Sequence, residues 1–213
     1  MKPSVTRVAI VSVSKWVYVN SLKAAGFSRQ GNHFNRQSHD LFHGIHFQAS
    51  RWGSGEEGSF TVNLTVTSPI LYSYWTGRPF PTNPATALYP IQQRIGLLMP
   101  GRQDRWWSVQ ADTNIDSLCK EVGSAIIQYG VPFFKDFRNS DGIFQKLRSG
   151  EKLPGVPSRH LPLIHAMLAK EKGFVEEAKQ QIERAISNDK SPLVPQAIQR
   201  VASRLGISMG SIG

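Results

Sequence analysis

The sequence of 213 residues holds one cysteine, Cys119, so no disulfide can form within it. That fits a reducing compartment. It has no apolar run long enough to cross a bilayer as a helix, so no membrane partner is expected. The short run Val8–Val11 behind Lys2 and Arg7 is broken by Ser12, Ser14 and Lys15, too early for a secretory leader. Cytoplasm is the expected location. Acidic side chains are scarce: 15 Asp and Glu stand against 25 Lys and Arg, a formal net charge of +10. No block of Lys or Arg concentrates this excess. The balance favours acidic partners, and it equally serves solubility.

Catalytic signatures are missing too. There is no Gly-x-Ser-x-Gly, no P-loop, no His-Glu-x-x-His and no dinucleotide fingerprint, so no catalytic residue and no cofactor are assigned. His33, His39, His43 and His46 are crowded, but a metal needs three or four converging ligands. His43 and His46 lie an odd number apart and face opposite ways in a strand. Asp40 is the only carboxylate near them, so no metal site is expected. Glu56 and Glu57 read as solvated acids in a flexible loop.

What is present is a sheet. Phe60, Val62, Leu64 and Val66 alternate with Thr61, Asn63 and Thr65, the period of a strand with one apolar and one polar face. Residues 27–36 read as an earlier strand turning near Gly31-Asn32, and 41–50 as another, joined to 60–67 through a glycine-rich loop over 51–59. Residues 5–13 are β-branched and open to either strand or helix. Residues 14–25 read as helix, capped by Ser14, with Trp16, Val17, Asn20 and Ala24 on one side and Gly26 as terminator. Six prolines make 68–100 irregular, without a long helix or central strand, its aromatics pinning the loop to the body. Short strands are expected near 92–99 and 106–110.

From Asn114 the period turns helical: Ile115, Leu118, Cys119, Val122, Ile126 and Tyr129 share a face. Cys119 on that face is a core thiol rather than a nucleophile. A further helical piece runs from Phe133 to Leu147, interrupted near Asp141-Gly142. Residues 150–157 read as a linker. Three helical patterns follow, ending at Gly173, Ile186 and Gly206, the last starting at Ser191-Pro192, with a frayed tail from Ile207. The expected fold class is α+β: an antiparallel sheet packed against helices, followed by a C-terminal helical segment. The expected division is 1–149 for the α+β domain and 158–206 for a helical appendage.

The candidate binding residues are Trp52, Arg94, Asp104, Arg105, Trp106 and Trp107. Adjacent tryptophans in a strand point to opposite faces: one can fill the core while the other lies on the surface and stacks on a base, a sugar or a partner's side chain, or, the favoured reading, both cover opposite sides of the sheet under helices. Arg94 and Asp104 suit a structural ion pair. Residues 1–110 hold eleven Lys and Arg against four Asp and Glu, with arginines interleaved among aromatics. That pattern fits nucleic acid weakly, since dispersed arginines are also ordinary surface residues.

One ordered series goes further. Lys23-Ala-Ala-Gly-Phe-Ser-Arg-Gln-Gly-Asn-His-Phe-Asn-Arg36, Ile45-His-Phe-Gln-Ala-Ser50, Phe60-Thr-Val-Asn-Leu64, Arg94-Ile-Gly96, Asp104-Arg-Trp-Trp107 and Gly130-Val-Pro-Phe-Phe134 together resemble the bacterial domain-of-unknown-function family numbered 4304, over about residues 10–140. The resemblance implies a small α+β domain and carries no activity. The spacing of Ala166, Ala169, Gly173, Ala178, Ile182 and Ala185 faintly resembles a tetratricopeptide hairpin, from which Pro162 and His165 depart. Another protein is the expected partner, with nucleic acid and an unrecognised enzyme as alternatives.

Overall fold

The computed structural model describes residues 3–53, 55–87, 89–189 and 195–208. The fold is α+β, an antiparallel sheet with several helices, and the chain forms two compact units. The first comprises Met1–Ser38, Phe42–Thr65 and Gln92–Lys135; the second comprises His39–Leu41, Val66–Ile91 and Asp136–Gly213.

The first unit opens with α1 (Val5–Val17), whose Ser4 cap accepts from the Arg7 amide at 3.4 Å. The β-branched stretch left open by sequence is therefore helical. Thr6, Ala9, Ile10, Val13 and Val17 recur at helical spacing and are buried, replacing the expected side through Trp16 and Ala24. Ser14 is not the cap: it lies in the helix interior, buried, its hydroxyl donating to the Val11 carbonyl at 3.0 Å. The helix widens over Tyr18–Leu22, and Gly26 follows at φ 79°, a conformation that favours glycine.

Six strands form the sheet: β1 (Ser28–Gln30), β2 (His33–Ser38), β3 (Leu41–Ala49), β4 (Glu57–Thr67), β5 (Ile91–Arg94) and β6 (Trp107–Gln110). The order is β1-β2-β3-β4-β5, and β6 pairs with the start of β4. β1 and β2 turn at Gly31-Asn32, as expected, with Ser28 opposite Asn35. β4 begins at Glu57, so the loop is shorter than 51–59 and Glu57 belongs to the ladder, opposite Gln110.

β4 is buried on both faces. Phe60, Val62, Leu64 and Val66 fill the apolar side, while Thr61, Asn63 and Thr65 on the other side are also fully buried. Buried polar groups need partners. The Asn63 amide donates to Gln48 Oε1 at 2.8 Å and accepts from Gln92 Nε2 at 3.2 Å. The Thr61 hydroxyl donates to the Arg105 carbonyl at 2.8 Å.

β5 ends at Arg94 instead of continuing to Met99; Ile95–Leu98 is a tight 3-10 turn. The reason is Gly96, where any Cβ would sit closer than 3.0 Å to the backbone of Gln103 and Arg105. The chain turns there so that the returning segment can pack on it.

α3 (Ile115–Ala125) is capped by Asn114, which accepts from the Ser117 amide at 2.9 Å, and it packs on α1. Cys119 on its apolar face is buried, and burial raises its thiol pKa, which keeps it unreactive. The helix widens over Ile126–Gly130 and leads into the short α4 (Val131–Phe133).

The second unit holds α2 (Pro69–Thr76), a helix in the stretch expected to be irregular. Pro69 sits in its first turn, where no amide is needed, Ser68 accepts from the Leu71 amide at 3.0 Å, and Gly77 ends it. Tyr72 meets Phe80 edge-on at 5.4 Å and the Tyr89 hydroxyl donates to the Pro84 carbonyl at 2.7 Å, both folding the stretch on itself, while Trp75 reaches out of it to His160, edge-on at 5.3 Å.

The helical piece expected over 133–147 is interrupted, at 137–139, and Asp141-Gly142 lies just beyond the break in α5 (Ser140–Arg148). That pair forms the first turn, with the Gly142 amide donating to the Asn139 cap at 2.7 Å. α6 (Leu161–Glu171) packs on α7 (Val175–Ser187), and buried His165 bonds Glu177 at 2.8 Å. α8 (Gln196–Arg204) ends at Arg204, which donates to the Tyr74 carbonyl at 3.0 Å and so closes the free end of α2. Ile207 is buried rather than frayed, its amide bonded to the Ala202 carbonyl at 3.0 Å. The expected helix start at Ser191-Pro192 and the tail from 209 lie outside the described residues. No helix of the described residues is long and apolar enough to cross a membrane.

Candidate functional site

Five of the six candidate residues gather where β5 and β6 border β4. Alternation along 104–107 sends them to opposite faces. Trp107 points inward, 2 % exposed, stacked on Phe60 at 5.7 Å. Its indole N–H donates to Glu121 Oε1 at 2.8 Å, and Arg105 donates to the same oxygen at 2.7 Å. The Arg105 guanidinium also lies 5.8 Å from the Trp107 ring. One carboxylate from α3 thus satisfies a buried indole and neutralises an arginine.

The opposite face carries Arg94, Asp104 and Trp106. Arg94 pairs with Asp104, the Trp106 indole donates to Asp104 at 3.0 Å, and the Arg94 guanidinium lies over the Trp106 ring at 5.0 Å. Trp106 is half-buried. Gly96 and this ion pair clamp residues 103–105 onto the turn after β5. Trp52 stands apart from both clusters and is 86 % exposed.

Further along the polar face, His33 and His46 stack at 5.6 Å, while His43 faces the core and stacks on Phe134 at 4.5 Å. Burial, with His33 as a neighbour, lowers the His46 pKa to about 4, so its ring is neutral at physiological pH. Among the described residues no group of three His, Cys, Asp or Glu is placed to hold a metal ion.

Two surface clefts flank β6. One, of about 400 Å³, runs from Arg105, Trp106 and Ser108 to Asn114 and Ser117 at the start of α3, with Glu121 at its wall. The other, of about 300 Å³, lies between Trp52, Glu57 and Gln110. Ser108 lines both. Sequence reasoning missed Ser108 and Glu121. Glu121 follows the apolar Leu118 by one helical step, the sole signal that it faces the sheet.

No curated protein and no solved structure matches the chain. A family model does: the one described as Domain of unknown function (DUF4304) matches residues 18–136. That span takes in β1 to β6, α3, both tryptophan clusters and the Gly96 clamp, so the chain belongs to the DUF4304 family.

Proposed function

We propose that this chain is a non-catalytic protein-interaction module, of accessory or immunity-like kind, which binds another bacterial protein in the cytoplasm. The observation that carries the reading is Trp52, a tryptophan left 86 % exposed beside a cleft, within a unit whose other aromatics are buried or half-buried. Tryptophan is enriched where proteins meet, because it supplies a large contact area at small entropic cost. Half-buried Trp106, fixed by Arg94 and Asp104, lines the companion cleft.

The arginines that favoured nucleic acid weigh less in the structure. Arg94 and Arg105 are paired with carboxylates, and Arg36 donates to the Ala25 carbonyl at 2.9 Å. A phosphate backbone would have to compete for them.

Affinity capture from lysate, split into nuclease-treated and untreated halves, tests the reading. The expected result is a protein retained after nuclease and lost from a folded Trp52→Ala/Trp106→Ala variant. Nucleic acid retained in the untreated half, with binding that weakens steeply as salt rises, would replace this reading with the second one.

A further inference from the structure

We propose that the outer edge of β6, centred on Ser108, receives an extended segment of an acidic partner protein as an added β-strand. This rests on the interaction reading and names the form the partner takes.

Peptide groups along an antiparallel strand point alternately to one neighbour and the other. The Ser50 amide donates to the Ser59 carbonyl at 2.8 Å, so Ser59 points toward β3. Gly58 and Phe60, one step either side, therefore point toward β6, where the register sets them opposite Val109 and Trp107. Val109 and Trp107 spend their amides and carbonyls on β4, which turns those of Ser108 outward.

Two contacts agree with that phase. The Arg105 carbonyl faces β4 and accepts from Thr61. Gln110, outward like Ser108, has its amide and carbonyl closed by Thr113 at 2.8 and 3.2 Å. The turn thus finishes one outward pair, while among the described residues no backbone hydrogen bond reaches the outward pair of Ser108, which is exposed.

An unpaired donor and acceptor on an exposed sheet edge is a template for another strand. Successive side chains of an added strand point to opposite faces, and a cleft opens on either side of Ser108 to receive them. Trp106 stands in the first cleft and Trp52 in the second. Two chains of net charge +10 repel, which sets an acidic segment above a second copy as the occupant.

The test uses the full chain and a displayed library of seven-residue peptides in which Asp or Glu alternates with random residues, beside a Lys-based control library. The expected result is enrichment from the acidic library alone. Amide exchange at Ser108 slows at least tenfold in the complex. N-methylation of the peptide amides in one alternating set weakens binding at least tenfold, while methylation of the other set leaves it unchanged; this variant alters the peptide and cannot unfold the protein. Peptides that bind with Ser108 unprotected, indifferent to methylation, would overturn strand addition and leave the interaction reading standing. Slowed exchange at Ser108 in a concentration-dependent dimer without peptide would give the edge to a second copy and overturn the acidic partner. No enrichment from either library, with a monomer throughout, would overturn the proposal, while lysate capture still decides the interaction reading.

Discussion

Trp106 and Trp107 are chain neighbours, and each is held by an arginine and a carboxylate, yet they do different work. Around Trp107 the carboxylate comes from another element, Glu121 of α3, and the indole is sealed against Phe60. Around Trp106 the partners are local, Asp104 two residues away and Arg94 across the turn, and the ring keeps part of its surface. The difference teaches that the same three residue types form a core joint when the acid arrives on a packed helix. They form a surface clamp when it lies on the returning loop.

The sharpest way to break the comparison is Trp107→Ala. It removes a buried aromatic and leaves Glu121 without its indole donor, and it should cost about 4 kcal/mol in chemical denaturation. A loss as small as that at Trp106 would show that both rings are surface groups. Gly96→Ala forces a Cβ into the backbone of 103–105 and should cost about 3 kcal/mol, since overpacking against main chain has no rotamer to relieve it.

The polar face can be probed by pH. The His46 pKa is held at about 4 in the folded protein, below the usual 6.5, so the unfolded chain takes up the proton first. Stability is therefore full above pH 6.5 and falls as pH drops from 6.5 toward 4, by about 3 kcal/mol. His46→Gln should make that fall shallower, the remainder coming from His33, His160 and His165, whose pKa values burial also lowers; an unchanged slope would place the proton elsewhere. The smallest effect belongs to Trp106→Ala, about 2 kcal/mol, because it loses only the packing of a half-buried ring, one cation–π contact and one exposed hydrogen bond. It should stay folded by circular dichroism while partner capture falls.

The opposite facing of Trp106 and Trp107 was legible because alternation is a property of the extended chain itself. So were the β4 period and the Asn114 start of α3, where cap and apolar stripe agree. The burial of Thr61 and Asn63 was not legible. A polar face reads as solvent-facing until Gln48, Gln92 and the Arg105 carbonyl arrive from other segments. Ser14 looked like a cap because serine favours caps, but Ser4 lay at the true helix start and the apolar spacing from Thr6 to Val17 ran through. Asp141-Gly142 looked like a break because glycine weakens helices, yet Asn139 made it a first turn. Pro69 likewise starts a helix that the surrounding prolines seemed to forbid.

By itself the sequence determined what is local: most helix and strand periods, the Asn114 cap, the turns at Gly26 and Gly31-Asn32, the alternation of the tryptophans, and the family through the order of its short motifs. Only the tertiary structure decided what depends on distant segments meeting. It placed Glu121 under Trp107, drew residues 103–105 onto Gly96, buried both faces of β4, and left Ser108 exposed on β6. The physical reason is that periodicity fixes which way a side chain points from its own backbone. What it meets there is set by the packing of elements far away in sequence.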